Sequence, residues 1–114
     1  MTYEKLQEFT TRYKNINIED TAKWSNSSTS FVRQLEGMIN LAHVITLGAY
    51  NRNESRGAHY KPEFKERNDE EWLKTTMAKY NPISKLPELY YEEVDISLIK
   101  PRKRDYSKAK EGAK

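Results

Sequence analysis

The strongest constraint on the fold is a run of apolar residues between positions 31 and 50 that repeats with the period of an α-helix. Apolar side chains recur at spacings of four and three residues, namely Phe31, Leu35, Met38, Ala42, Ile45 and Ala49, with Val32 and Ile39 widening the stripe. This pattern predicts a long amphipathic helix in a helix-on-helix core. Gly37 and Gly48 each cost about 1 kcal/mol relative to alanine. They indicate either close approach of another backbone or plain tolerance.

Two further helices are predicted upstream of this run. Residues 2–14 place four aromatic or aliphatic side chains at spacings of three, three and four: Tyr3, Leu6, Phe9 and Tyr13. That spacing is typical of one helix face. Asn17 followed by Asp20 predicts an N-cap and a short helix that runs to about Trp24. The polar cluster at 25–30 ends this short helix and supplies caps for the next one.

The pattern changes after Arg52. Residues 53–67 are polar and lack a period, which indicates an irregular segment. Asn68 and Glu71 resemble a capping pair at the start of a helical turn. Residues 72–80 and 89–94 are strand candidates, and the Pro-containing connection between them predicts a hairpin with a long loop.

Composition limits the class of protein. A chain of 114 residues has the length of one domain, and its 36% hydrophobic and 32% charged fractions predict a small core. The absence of Cys excludes disulfides, thiolate zinc sites and cysteine catalysis. No apolar run approaches the roughly 20 residues that span a bilayer, so we expect a soluble domain. The net charge of +3 is uneven, since residues 100–114 carry seven basic and two acidic side chains, or +5, which leaves −2 for the rest.

The sequence contains no recognisable catalytic or metal-binding constellation. Its two histidines, His43 and His59, do not fall in a metal-ligand spacing. His43 lies beside the apolar stripe of the long helix, where a core-edge histidine is the better interpretation. The four glycines are scattered, so a self-contained nucleotide-binding loop is not expected.

Residues 51–61 concentrate polar chemistry at the end of the long helix, with the sequence NRNESRGAHYK. Arginine offers a rigid fork of donors to carboxylates, and histidine exchanges protons near neutral pH. One interpretation is therefore a recognition surface. The other is a helix C-terminus that is capped by Gly57, with cations near the negative end of the dipole.

The same segment carries a family resemblance. The run ESRGAHYKP at 54–62, followed by ERNDE at 66–70 and WLKTT at 72–76, resembles the flavoprotein subunits of succinate dehydrogenase and fumarate reductase. The similarity extends upstream through 12–20 and 35–52 and downstream to Tyr106, so it covers nearly the whole chain. Lys65 stands where the family often has Pro, and Asn68 stands where it often has Asp.

The resemblance implies a mainly α domain. Residues 1–52 would form an up-and-down three-helix bundle, residues 53–99 an irregular and β-hairpin extension of the same domain, and residues 100–114 a flexible basic tail. The short helix expected at 17–24 is one candidate for the third member of the bundle. The alternative is that this segment is a turn and the third member is formed elsewhere.

The resemblance also implies a parent enzyme. In that family the full subunit binds FAD covalently, oxidises succinate to fumarate and passes electrons to an iron–sulfur subunit and then to a quinone. The flavin and substrate motifs lie upstream in the family and are absent here. We therefore assign no catalytic, cofactor-binding or metal residue to this chain and expect it to be inactive alone. We expect the parent to be cytoplasmic and peripheral at the cytoplasmic face of the membrane, with no direct insertion by this domain.

A packing role is the remaining expectation. Segment 53–69 would lie against the flavin domain of the same subunit or against the iron–sulfur subunit. The residues expected at this contact are Glu54, Ser55, Arg56, Gly57, His59, Tyr60 and Arg67. Two alternatives remain: the C-terminal domain of L-aspartate oxidase, which has a similar motif, and a small nucleic-acid-binding module that uses the basic residues 100–104. The second is disfavoured because aromatic residues are not interleaved with the basic ones.

Overall fold

The computed structural model describes residues 2–102. Within that range the elements follow in the order helix, helix, helix, strand, strand. They are α1 (Thr2–Tyr13), α2 (Ser27–Asn51), α3 (Asp69–Trp72), β1 (Lys74–Asn81) and β2 (Leu86–Glu93). The prediction of a helical domain with a β-hairpin extension is confirmed. The basic tail at 100–114 lies outside the described residues except for its first three positions.

The contact between α1 and α2 is centred on His43, which is 2% exposed. The Tyr3 ring meets the His43 ring edge-on at 5.6 Å between centroids. The Thr10 hydroxyl lies 3.1 Å from His43 Nε2 and also donates to the Leu6 carbonyl at 2.9 Å. Because a hydroxyl has one proton to donate, Thr10 accepts the hydrogen bond from His43 Nε2–H. The prediction of a core histidine is confirmed.

The segment before α2 is a turn. Asn26 caps α2, since its side-chain oxygen accepts from the Thr29 N–H at 2.9 Å. The Asn26 amide also donates to the carbonyls of Asp20 and Ala22. The short helix predicted at 17–24 is wrong. The Asp20 carboxylate accepts from the Ala22 N–H at 2.9 Å, and this local bond offers the backbone an alternative to helix.

The covered face of α2 differs from the predicted stripe. Ile39 and His43 are buried, whereas four members or neighbours of the stripe are more than half exposed: Phe31 (54%), Met38 (53%), Leu41 (59%) and Ile45 (62%). Successive residues in a helix are separated by about 100°, so the exposed face around Met38 lies roughly a quarter turn from the covered face around Ile39. The apolar arc of α2 is wide enough to include both faces.

The described residues do not form a bundle of three long helices. In the range 2–102, α1 and α2 are long, and α3 is a single turn of four residues. The capping pair predicted for α3 is confirmed, since Asn68 Oδ1 accepts from the Glu71 N–H at 3.2 Å. Within residues 2–102 the long helices are therefore a pair.

The hairpin follows α3 directly. β1 and β2 are antiparallel, with Lys74 opposite Glu93 and Asn81 opposite Leu86. Their connection is residues 82–85, so the loop is shorter than predicted, and Lys85 closes it with a hydrogen bond to the Asn81 carbonyl at 2.8 Å. The hairpin contacts α2. Across the described part of the chain, no helix combines the length and apolarity needed to cross a membrane.

Candidate functional site

The centre of the polar motif is Glu54, whose side chain is fully buried. Its carboxylate accepts hydrogen bonds from Arg52, from Arg56 Nε at 2.8 Å and from Arg56 Nη2 at 3.1 Å. The backbone N–H of Asn68 donates to it at 3.0 Å. A buried carboxylate is tolerated when it is paired in this way. Glu54 therefore connects the end of α2 to the start of α3.

Arginine side chains extend this pairing into a continuous network. Asp69 accepts from both Arg56 and Arg67, so positive and negative groups alternate. We call Arg52, Glu54, Arg56, Arg67 and Asp69 the charge network.

The charge network also sets the ionisation of its carboxylates. Burial opposes ionisation of Glu54, but hydrogen bonds from Arg56, the Asn68 N–H and Arg52 hold the pKa of Glu54 below its ordinary value. Hydrogen bonds from Arg67 and Arg56 lower the pKa of Asp69 to about 2. Both groups are thus carboxylates at neutral pH, as their arginine partners require.

Two arginines of the charge network also reach distant parts of the backbone. Arg52 donates to the carbonyls of Trp72 at 3.0 Å and Lys74 at 2.6 Å, which ties the end of α2 to the hairpin. Arg67 donates to the carbonyl of Arg102 at 2.8 Å. The charge network consequently fixes four segments that are separate in sequence.

The loop between 55 and 64 is held by its own turns. Arg56 and His59 exchange backbone hydrogen bonds at 2.9 and 3.0 Å, and Gly57 occupies the tight turn between them with φ of 60°. This left-handed conformation favours glycine. The Ser55 hydroxyl accepts from the Lys61 N–H at 3.0 Å. Gly57 therefore does not cap α2, and that interpretation is wrong, since α2 ends with Arg52 in the cap position.

The seven predicted contact residues fall into two groups. Five make side-chain hydrogen bonds within the domain: Glu54, Ser55, Arg56, His59 and Arg67. Gly57 lies in the exposed turn, and Tyr60 is 65% exposed. The predicted contact set left out Asp69 and also Arg52, which lies in the polar run 51–61. Their signals were a charge at the end of the apolar stripe and a carboxylate directly after the Asn68 cap.

The donors of Arg52 are engaged within the domain. The terminal N–H groups of Arg52 are bonded to Glu54, to Thr76 and to two backbone carbonyls. These donors are therefore not directed at a flavin pyrophosphate or a substrate carboxylate. Among residues 2–102, no cluster of three or more His, Asp or Glu side chains is placed to hold a metal ion. The charged groups of this region are paired with one another.

Comparison with known proteins defines the class of protein. A family model described as "Fumarate reductase flavoprotein C-term" matches residues 1–106. The succinate dehydrogenase flavoprotein subunit of Bacillus subtilis is 64% identical over 109 residues, which are 96% of this chain and 19% of that subunit. The fumarate reductase flavoprotein subunit of Proteus vulgaris is 37% identical and matches 92% of this chain and 18% of its own length.

A solved structure agrees with these matches. An E. coli quinol fumarate reductase FrdA chain that carries a point mutation superposes with a TM-score of 0.81 and 32% identity, covering 89% of this chain and 17% of that one. The chain belongs to the succinate dehydrogenase and fumarate reductase flavoprotein family, and the family model that it matches describes the C-terminal part of these subunits. It spans about a fifth of the length of these relatives. The matches favour this family over the L-aspartate oxidase and nucleic-acid alternatives.

Proposed function

We propose that this chain is the C-terminal domain of an FAD-containing subunit that oxidises succinate to fumarate and passes electrons to an iron–sulfur subunit and a quinone. FAD and the dicarboxylate would bind to the rest of the subunit, and this domain would contribute no catalytic group. The observation that carries the proposal is the family match over residues 1–106, together with a motif whose charged groups bond to one another. The assembled enzyme would be peripheral at the cytoplasmic face of the membrane.

We also propose that segment 53–69 docks against the flavin domain or the iron–sulfur subunit. The charge network makes the inner side of this segment rigid, and aromatic groups lie on its outer side. Tyr60 is 65% exposed, Phe64 is 43% exposed and the neighbouring Tyr50 is 74% exposed. The Lys61 ammonium lies 5.4 Å from the ring centroids of both Tyr50 and Phe64. Exposed aromatic groups on a rigid support are typical of interface anchors.

The three-helix bundle implied by the resemblance is part of this proposal. α1 and α2 would be two of its members, and the third would come from the part of the subunit outside this chain. The described residues supply two long helices, which is consistent with such an arrangement.

The test is complementation. The Bacillus subtilis flavoprotein subunit would be produced without the segment that this chain matches, mixed with the purified 114-residue chain and assayed for succinate oxidation. We expect the mixture to regain activity, and we expect the chain alone to bind no flavin and to have no activity. Activity or bound flavin in the isolated chain would overturn the proposal, as would a mixture that stays inactive and unassociated.

A matched pair of variants tests the docking surface. Tyr60→Ser removes an exposed aromatic group from segment 53–69, and Ile83→Ser removes an exposed apolar group from the hairpin turn, where Ile83 is 92% exposed. We expect Tyr60→Ser to weaken association with the truncated subunit by about tenfold, within the range of an interface anchor. Ile83→Ser should leave association unchanged. Equal effects of the two variants would contradict the docking role of the segment.

A further inference from the structure

The irregular segment that follows β2 carries two aliphatic side chains that are almost fully exposed. Leu98 is 95% exposed and its neighbour Ile99 is 81% exposed. Single exposed apolar residues are ordinary on a protein surface, whereas adjacent aliphatic side chains with so little cover indicate a contact surface. We call residues 94–102 the post-hairpin arm.

The start of the post-hairpin arm lies against the body of the domain. Val94 and Ile96 line a surface cavity together with α3, and they are 44% and 41% exposed. The Asp95 carboxylate accepts a hydrogen bond from the Ser97 N–H at 2.8 Å. An aspartate that bonds to the backbone two residues further on forms a turn. The chain therefore turns at 95–97, directly before the two exposed side chains.

The end of the post-hairpin arm is bonded to the charge network. Arg67 donates to the Arg102 carbonyl at 2.8 Å, and its other N–H groups donate to Asp69. The exposed pair thus lies between two held points, the turn at 95–97 and the Arg102 carbonyl. A segment that is held before it binds loses less conformational entropy when a partner orders it. This arrangement suits a contact surface that is formed in advance.

The charges around the exposed pair are ordered along the sequence. Basic side chains follow it, and all but one of the acidic side chains precede it: Lys100, Arg102, Lys103 and Arg104 are basic, and Glu92, Glu93, Asp95 and Asp105 are acidic. Residues 92–105 therefore have a net charge of zero. Attraction to an anionic membrane surface depends on an excess of positive charge, so this balance favours a protein partner.

We propose that Leu98 and Ile99 insert into an apolar pocket of the same flavoprotein subunit, in the part outside this 114-residue chain, and that carboxylates at the rim of this pocket face Lys100 and Arg102. This inference rests on the proposed function and adds a second contact to that of segment 53–69. Both basic residues are exposed. The family model matches residues 1–106 and so includes the post-hairpin arm.

The relatives have room for such a pocket. This chain spans 19% of the Bacillus subtilis subunit, which leaves most of that subunit to supply the pocket. Exposed aliphatic side chains suit a permanent contact within a subunit, because permanent interfaces are more apolar than transient ones.

A matched pair of serine variants tests the exposed pair. Each variant of the 114-residue chain would be mixed with the truncated Bacillus subtilis subunit in the absence of the iron–sulfur subunit. Leu98→Ser should weaken association by about tenfold, and the double variant Leu98→Ser with Ile99→Ser by about 100-fold. Ile83→Ser removes an aliphatic side chain of similar exposure, 92%, and should leave association unchanged. The urea midpoint of each isolated variant should stay native, which separates lost association from lost folding.

Two outcomes separate this inference from the proposed function. A native chain that fails to associate with the truncated subunit would count against the proposed function. A native chain that associates, together with a double variant that associates equally well, would overturn this inference alone.

Charge reversal tests the rim of the pocket. Lys100→Glu should weaken association by about tenfold at low salt and by less at high salt, because salt screens exposed charges. Lys23→Glu makes the same change at an exposed position before α2 and should leave association unchanged. If Lys100→Glu associates as the native chain does, the rim of carboxylates is wrong.

Photo-cross-linking locates the pocket in the assembled enzyme. Benzoylphenylalanine introduced in place of Leu98 should cross-link to a peptide of the flavoprotein subunit that combines apolar residues with Asp or Glu. A cross-link to the iron–sulfur subunit instead would overturn the proposal.

A second copy of the chain and a membrane are the competing occupants. We expect the isolated chain to sediment as a monomer and not to bind vesicles of phosphatidylglycerol and phosphatidylcholine. A dimer that the double variant converts to a monomer would overturn the proposal in favour of self-association. Vesicle binding that the double variant abolishes would overturn it in favour of a membrane surface.

Discussion

Two regions of the domain differ in how far the described residues cover or pair them: the charge network and a set of exposed apolar residues on α2. We call the second set the α2 outer stripe: Phe31, Met38, Leu41 and Ile45. Every member of the charge network is paired within the domain, and Glu54 at its centre is fully buried. The α2 outer stripe leaves four large apolar side chains more than half exposed. The charged side chains of segment 53–69 are thus satisfied within the domain, and the aromatic side chains on its outer side, Tyr60 and Phe64, are the exposed ones. A charged sequence motif does not by itself mark which side of a segment is free to bind a partner.

The largest expected loss of stability is at Glu54, because truncation of this side chain removes the central carboxylate of the charge network. Glu54→Ala leaves Arg52 and Arg56 without their shared buried acceptor. We expect a loss of about 3–5 kcal/mol in the free energy of unfolding, measured by urea denaturation of the 114-residue chain. Glu54→Gln retains the shape and loses the charge, so its cost should be smaller. A loss below about 1 kcal/mol for Glu54→Ala would show that the charge network does not stabilise the domain.

The next largest loss of stability is expected at Ile39 on the covered face of α2, and the adjacent residue Met38 on the exposed face serves as its comparison. Ile39 is buried and Met38 is 53% exposed. Ile39→Ala should cost about 2–4 kcal/mol in the isolated chain, as expected for deletion of a buried side chain. Met38→Ala should change stability by less than about 0.5 kcal/mol, as for a surface position. Comparable losses for the two variants would show that the α2 outer stripe is already covered in the isolated chain.

Elements held by interactions between residues close in sequence were predictable from the sequence, and contacts between distant residues were not. α2, the Asn68 cap and the two strands depend on neighbours close in sequence, and they were predicted. The period of α2 revealed a wide apolar arc but not which part α1 would cover. That choice depends on how Tyr3 and Thr10 meet His43 across the helix pair.

The contacts of the charge network could not be predicted either, because they join residues that are far apart in sequence. Arg56 and Asp69 are thirteen residues apart, and Arg52 reaches the backbone at Lys74 across twenty-two. No local pattern relates these positions, because the loop that joins them has no period. The prediction of a helix at 17–24 was wrong because of a local interaction. There, the Asp20 side chain bonds the nearby backbone more favourably than a short isolated helix would.

A moderate effect is expected where the covered face of α2 meets α1. Thr10→Val removes the hydroxyl that accepts from His43 Nε2, and His43 Nδ1 already has no partner within the described residues. Leaving the Nε2–H unpaired should cost about 1–3 kcal/mol in the free energy of unfolding. The double variant Thr10→Val with His43→Leu removes both polar groups and should recover most of this loss. A double variant as unstable as the sum of the two single variants would contradict the pairing.

The smallest effect is a pH dependence at the exposed end of the charge network. Arg67 and Arg56 lower the pKa of Asp69 to about 2, whereas an unfolded aspartate titrates near 3.9. A lowered carboxyl pKa contributes stability that is complete above about pH 4 and is lost as the pH falls toward 2. Asp69→Asn should therefore lower the urea midpoint at pH 5, and its difference from the native chain should shrink between pH 4 and pH 2.

The matched control for this prediction is Glu70→Gln, which removes an exposed carboxylate at the next position. Glu70 is exposed and takes no part in the ion pairs of Asp69 with Arg56 and Arg67, so Glu70→Gln leaves those pairs intact. Glu54 adds its own acid-dependent loss to all three proteins, because its pKa is lowered as well. The informative quantity is thus the difference between Asp69→Asn and the native chain. If that difference stays constant from pH 5 to pH 2, the Asp69 carboxylate does not contribute through its ionisation, and the charge network ends at Glu54.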